Sequence, residues 1–119
     1  MRYLSIIRAA EQQGEPPQGL MQAIDQYVTR SLRDGTVVST GGLAVSAAGI
    51  RVRIQGGRLK VTDGPFTESK EVIGGYAVIA AATREDAIRS TTEFMRLHLE
   101  HWPGWEGECE LRELVFLAP

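Results

Sequence analysis

The sequence is poor in cysteine, and this limits the chemistry it can support. Its one cysteine, Cys109, excludes an intramolecular disulfide. The residues on either side, Glu108 and Glu110, are acids, which disfavour the thiolate that a nucleophilic cysteine needs. We therefore expect a reduced, buried thiol in a cytoplasmic protein.

The sequence also has no excess of basic residues and no long apolar run. The net charge is −2, whereas nucleic-acid binders usually carry a basic patch. No apolar run approaches the roughly 20 residues that cross a bilayer. The start of the chain, residues 1–8, is too short and too interrupted for a signal peptide. We therefore expect neither a nucleic acid nor a membrane as a partner.

The 119 residues, 43% of them hydrophobic, fit a single domain, 1–119, with a hydrophobic core. Gly56-Gly57 predicts the tight turn of a hairpin between two short strands. The predicted order is β-α-β-ββ-β-α-β, an α+β sandwich of the split β-α-β kind. The strands are predicted over residues 2–9, 36–38, 50–54, 59–61, 73–82 and roughly 109–116.

Two amphipathic helices are predicted between these strands. The first ends at Gly35, and the second begins at Thr83 with Asp86 in the capping-box position. Trp102 and Trp105 follow the second helix and either line a pocket or pack over the end of the fold. The predicted inner stripes are Leu20, Ile24, Tyr27, Val28 and Leu32 in the first helix, and Ala87, Ile88, Thr91, Phe94, Met95 and His98 in the second.

The run from Ile73 to Ala82 is nearly all apolar, which indicates a strand covered on both faces. Two helices can cover one face of the sheet. A second copy of the chain, packed sheet to sheet about a two-fold axis, would cover the other. The alternative is a monomer whose second face is merely rich in small residues. We expect the homodimer.

The connection over residues 62–76 is the strongest candidate for a functional surface. It opens on Asp63-Gly64-Pro65, a turn signal in which Asp can bond the backbone, Gly accepts positive φ and Pro fixes its own φ. Further charges follow at Glu68, Lys70 and Glu71. A plain hairpin connection needs only about two to five residues and no such charges.

These residues also carry a family resemblance. Asp63-Gly64-Pro65-Phe66, followed by Glu68, Lys70, Glu71 and Gly74-Gly75, resembles the signature of the YCII-related proteins that bear a DGPF motif. Met1-Arg2-Tyr3, Val61-Thr62 and the closing segment from Glu110 to Leu114 are similar too, so the resemblance covers essentially the whole chain. It implies a ferredoxin-like subunit that forms a dimeric α+β barrel, in a family largely of unknown function.

The resemblance implies two kinds of role. Some relatives are encoded beside extracytoplasmic-function sigma factors, and some are lyase-like enzymes proposed to use a His–Asp pair. The histidine of that pair lies in the first helix of the enzymatic relatives. The segment from Met21 to Asp25 contains no histidine here, so the pair is not carried over.

Each candidate residue in the loop has a functional and a structural interpretation. Asp63 is a candidate general base or ligand-binding carboxylate, or it caps its own turn. Phe66 stacks on a ligand, or pins the loop to the core. Lys70, with Glu68 or Glu71, binds a polar or anionic ligand, or these charges are simply solvated. Gly74-Gly75 indicates a bulge or a close backbone approach.

The two histidines, His98 and His101, lie three residues apart at the end of the second helix. They could share a metal, but no third ligand is evident, so we expect no metal and no cofactor. His101 is a candidate acid–base residue, or both imidazoles are simply favoured there by the helix dipole. We also expect the acidic loop to fold toward His101, bringing Asp63 or Glu71 near it.

Two classes of function remain open. One is an enzyme or binder that takes a small polar molecule in a pocket beside the Asp-Gly-Pro-Phe loop, with lyase-like acid–base chemistry if it is an enzyme; its polar groups come from Asp63, Lys70, Glu71 and His101. The other is an interaction or regulatory module that uses the dimer surface or the loop. A concave pocket would favour the first, and a closed core with a flat loop the second.

Overall fold

A computed structural model describes residues 1–66 and 70–116 of the chain. The element order is the one predicted, with one added turn of 3₁₀ helix at Ser46–Ala48. The strands are β1 (Arg2–Ala9), β2 (Val37–Gly42), β3 (Ile50–Gln55), β4 (Arg58–Asp63), β5 (Val72–Ala80) and β6 (Gly107–Glu113), and the helices are α1 (Gln18–Asp34) and α2 (Arg84–His101).

Four strands form one antiparallel sheet in the order β2-β5-β1-β6. This is the strand order of a ferredoxin-like fold, and the predicted α+β class is confirmed. The strands β3 and β4 form a separate two-stranded sheet. Their detachment from the main sheet was not predicted.

The core lies between the main sheet and the two helices. Tyr3, Val37 and Ile79, from three neighbouring strands, pack with Ala87 of α2. Because successive side chains of a strand alternate between faces, Leu4, Ile6 and Val78 lie on the opposite face of the sheet. No helix of the described chain covers that face, which we call the open face.

The ends of both helices agree with their sequence signals. Gly35 closes α1 in the left-handed conformation, with φ of 84°. Thr83 caps α2 by accepting a hydrogen bond from the backbone N–H of Asp86 at 3.1 Å. Pro17 stands at the N-cap of α1, in keeping with the polar, proline-containing segment that precedes it.

The predicted inner stripes were wrong at one position in each helix. Leu32 is 48% exposed, while Ser31 is buried. Ile88 is also exposed, while its neighbour Ala87 is completely buried. In a helix of 3.6 residues per turn, position 31 lies on the same face as Tyr27, four residues earlier. Position 32 is rotated about 100° further and therefore faces away from the core.

The strand β5 starts one residue earlier and ends two residues earlier than predicted. Its pairing with β1 skips Gly74, because Ile7 pairs with Gly75 and Arg8 with Ile73. The predicted bulge is thereby confirmed. The expected cover on both faces is not found within one chain, since Tyr76 on the open face remains exposed.

The predicted hairpin is confirmed and has two different faces. Gly56 and Gly57 both have positive φ, at 59° and 74°, as the favoured two-residue turn requires. The register places the apolar side chains of β3 opposite those of β4. The apolar face consists of Ile50, Val52, Ile54, Leu59 and Val61, with Asp63 opposite Ile50 at its root, and the polar face of Arg51, Arg53, Gln55, Arg58, Lys60 and Thr62.

Within residues 1–66 and 70–116, neither α1 nor α2 combines the length and the apolar character that a membrane-crossing helix requires.

Candidate functional site

A cavity of about 660 Å³ lies between the main sheet and the helices. Its lining includes Ser5 and Ile7 of β1, Ile24 and Tyr27 of α1, and Phe94 of α2. Small-molecule sites in proteins usually have volumes of about 300–1,000 Å³. The cavity is therefore large enough for a small organic ligand.

One wall of the cavity is a row of neighbouring rings, tilted or edge-on except for the stacked pair of tryptophans, which we call the aromatic wall: Tyr27, Phe94, His98, Trp105 and Trp102. The ring centroids of successive members lie 4.9–5.9 Å apart. The hydroxyl of Tyr27 donates to the backbone oxygen of Ser90 at 2.9 Å, which satisfies its polar end. Of the two interpretations of Trp102 and Trp105, the structure supports the pocket wall.

His98 lies buried within this wall, at 7% exposure. Its Nδ1 lies 3.3 Å from the backbone oxygen of Phe94. A carbonyl oxygen only accepts, so this hydrogen bond places the ring proton on Nδ1 and leaves Nε2 as an acceptor. Among the described residues no buried side-chain nitrogen lacks a partner, so Nε2 is accessible to water or to a bound molecule.

Burial lowers the pKa of His98, and the hydrogen bond to Phe94 opposes this in part. The imidazole between Phe94 and Trp105 is therefore neutral at physiological pH. A neutral histidine with a free Nε2 can accept a hydrogen bond or take up a proton.

At the cavity rim, Glu11 accepts two hydrogen bonds from Ser46. We call the hydrogen-bonded series Glu11, Ser46 and Phe66 the rim clamp. The backbone N–H of Ser46 donates to Glu11 at 2.6 Å, and the Ser46 hydroxyl donates to the other carboxylate oxygen. These two bonds, the hydroxyl first, lower the pKa of Glu11. Ser46 Oγ in turn accepts from the backbone N–H of Phe66 at 3.2 Å.

The rim clamp joins three segments that are distant in sequence. Glu11 lines the cavity, Ser46 begins the 3₁₀ turn, and Phe66 belongs to the Asp-Gly-Pro-Phe segment. The cavity rim therefore lies beside that segment.

Cys109 lies on β6 and is half-buried. Its Sγ lies 2.8 Å from the hydroxyl oxygen of Ser5. Burial raises the pKa of the Cys109 thiol, which opposes thiolate formation. The local chemistry therefore agrees with a structural role for this residue.

The structure spreads the predicted site residues over separate places. Asp63 is the last residue of β4 and is exposed, as are Lys70 and Glu71 in the following connection. The guanidinium of Arg51 lies over the ring of Phe66, with its Cζ atom 3.7 Å from the ring centroid. Glu68 lies outside the described residues.

His101 is exposed at the end of α2 and lies beside Gly19 at the start of α1. Within residues 1–66 and 70–116, no hydrogen bond or ion pair joins it to Asp63 or Glu71. The contact between the acidic loop and His101 stays a prediction. A search of the same residues finds no cluster of three or more potential metal ligands.

Sequence reasoning missed two residues of this site and undervalued a third. Glu11 and Ser46 lie 35 residues apart, and no local pattern links them. The sequence did point to His98, because a histidine on the predicted inner stripe of α2 is a polar residue on a buried face, and such residues are often functional.

The lowered pKa of His98 predicts a stability that falls on acidification. The folded pKa lies below the unfolded value near 6.5, so the unfolded chain binds more protons as the pH falls through that value. We expect the free energy of unfolding to decrease between pH 7.5 and 5.0, and His98→Gln to reduce this slope. Urea unfolding at several pH values measures it.

The matched control is His101→Gln, at the exposed end of the same helix, which should leave the His98 contribution in place. The lowered pKa values of Glu11 and Asp34 affect stability chiefly below about pH 5, and both variants keep these carboxyls, so their effect cancels in the comparison. An undiminished slope in His98→Gln would contradict the assignment.

A family model for the YCII-related domain matches residues 1–94, from β1 into α2. A search of curated proteins finds no match. The matched span includes the Asp-Gly-Pro-Phe segment, the rim clamp and most of the cavity lining. The chain belongs to the YCII-related family.

Proposed function

We propose that this chain binds a small, largely apolar molecule in the cavity between the sheet and the helices. The observation that carries the proposal is the aromatic wall with a buried, neutral His98 beside about 660 Å³ of space. Water in an apolar cavity finds few hydrogen-bond partners, so its displacement by a ligand of matching shape is favourable.

His98 restricts the chemistry of this ligand. With its proton committed to Phe94, the ring offers an acceptor at Nε2. The preferred ligand therefore carries an N–H or O–H donor on an apolar body. If that group is acidic enough, the same nitrogen is positioned to remove its proton, which is the acid–base step of a lyase-like reaction.

The proposal keeps the predicted pocket beside the Asp-Gly-Pro-Phe segment but changes its polar groups. Phe66 reaches the rim through its bond to Ser46, and Glu11 contributes a carboxylate at the entrance. Asp63, Lys70 and Glu71 do not line the cavity. They remain candidates for contacts made outside it.

Indole and 1-methylindole form a pair of probes for this site, because they share the bicyclic ring, and the ring nitrogen carries a hydrogen-bond donor in indole and a methyl group in 1-methylindole. We expect millimolar indole to shift the amide NMR signals of Ile7, Ile24 and Phe94. We expect 1-methylindole to bind about fivefold more weakly, the usual net value of one hydrogen bond.

The preference for indole should vanish in His98→Phe and persist in His101→Phe. Amide signals of the cavity residues that do not respond to either probe would contradict a ligand site. Binding of both probes with equal affinity in the natural chain would instead contradict the role of His98.

A second candidate function is an interaction or regulatory module built on a homodimer. The open face supports it, since it presents Leu4, Ile6 and Val78 together with the exposed Tyr76 of the inner strand β5. A second copy packed sheet to sheet would cover them, as in a dimeric α+β barrel. The association of such a dimer with sigma factors is carried by the family resemblance alone.

A further inference from the structure

The hairpin formed by β3 and β4 exposes an apolar face with no cover within the described chain. Its five apolar side chains are each 64–80% exposed: Ile50, Val52, Ile54, Leu59 and Val61. Side chains of this size carry roughly 100 Å² of apolar surface each, so one face presents on the order of 500 Å². Patches of that size on a soluble protein mark interaction sites.

The hairpin also projects from the body of the chain. Its strands pair with each other and with no strand of the main sheet. The radius of gyration is 15.9 Å, whereas a compact chain of this length has about 13.5 Å. A projecting element can reach a neighbouring molecule.

We propose that this hairpin is an arm that packs its apolar face on a second copy of the chain. The inference extends the proposed homodimer, in which each protomer would contribute an arm. Two arms would bury about 1,000 Å² of apolar surface on the hairpins alone. That is close to the area at which a specific protein interface becomes stable.

Charge also favours a second copy as the occupant. The hairpin, residues 50–63, carries Arg51, Arg53, Arg58 and Lys60 against a single acid, Asp63, so 14 of the 15 acidic residues of the chain lie outside it. A basic arm is therefore attracted to the acidic body of another copy. The attraction is reciprocal in a two-fold dimer, because each body receives one arm.

The root of the arm is fixed, which orients it. Gly64 donates its backbone N–H to the oxygen of Gly49 at 2.8 Å, and closes the hairpin. The ring of Phe66 packs against Gly49 and Arg51, and its backbone is held by the rim clamp. An arm with a fixed root loses little conformational freedom when it docks.

The test compares neighbouring residues on opposite faces of the arm. Ile54→Asp places a carboxylate on the apolar face, and Gln55→Asp makes the same charge change one residue further, on the polar face. We expect Ile54→Asp to weaken the dimer at least 100-fold, because a buried unpaired charge is strongly destabilising. Gln55→Asp should weaken it less than fivefold. Sedimentation equilibrium from 1 to 200 µM measures both.

Ile54 is exposed within one chain, so its substitution removes nothing from the core, and circular dichroism should show a folded monomer. Val61→Asp on the facing strand provides a second variant with the same expected loss. Dimers of equal affinity in all variants would overturn the arm while leaving a sheet-to-sheet dimer intact. A natural chain that is monomeric at 200 µM would overturn both.

Discussion

Replacement of Gly64 by alanine should lower the free energy of unfolding by about 3 kcal/mol, the upper part of the range for overpacking. A Cβ built on Gly64 would lie 1.7 Å from the backbone oxygen of Ser46. Ser46 cannot withdraw easily, because it is buried and held by Glu11. Chemical denaturation of the variant measures the loss.

Gly42→Ala is the matched control for this substitution. A Cβ at Gly42 would meet no atom within 4 Å, and the change restricts the unfolded chain slightly. We expect its effect to stay within about 1 kcal/mol of zero. Equal losses of stability in the two variants would show that the close approach of the Ser46 oxygen to Gly64 does not determine the cost of a side chain at position 64.

Leu20→Ala should cost about 3 kcal/mol of stability, as buried leucines generally do when truncated. Leu20 is 1% exposed at the start of α1. Truncation removes apolar contacts and leaves a void that the surrounding structure fills only in part.

The control lies on the same helix. Leu32→Ala makes an identical chemical change at an exposed position, where surface substitutions usually stay within about 0.5 kcal/mol. Thermal unfolding of both variants in one buffer gives the comparison. A cost at Leu32 as large as that at Leu20 would mean that this part of α1 is covered in solution.

The features that the sequence predicted well are those decided by neighbouring residues. The cap at Thr83, the stop at Gly35 and the Gly56-Gly57 turn each depend on contacts within a few residues. The inner stripes were less certain, because adjacent apolar residues such as Ala87 and Ile88 both fit a helical repeat. Burial by the tertiary fold decides between them.

The features that the sequence did not predict depend on distant contacts. The detachment of the hairpin follows from which strands pair, and β2 pairs with β5 across a long connection. The cavity follows from how far the helices stand from the sheet. The bond from Glu11 to Ser46 closes the rim between segments that no periodicity relates.

The pairing of β2 with β5 has a consequence for how this fold can vary. Gly42 pairs with Gly75, and Leu43 donates its backbone N–H to the oxygen of Gly74 at 3.0 Å, so the chain leaves and re-enters the sheet at nearly one point. Residues 43–71, between the end of β2 and the start of β5, are an appendage whose two ends lie close together. The sheet places no requirement on its length, and insertions at such sites are tolerated best. Relatives can therefore exchange this appendage without rebuilding the scaffold.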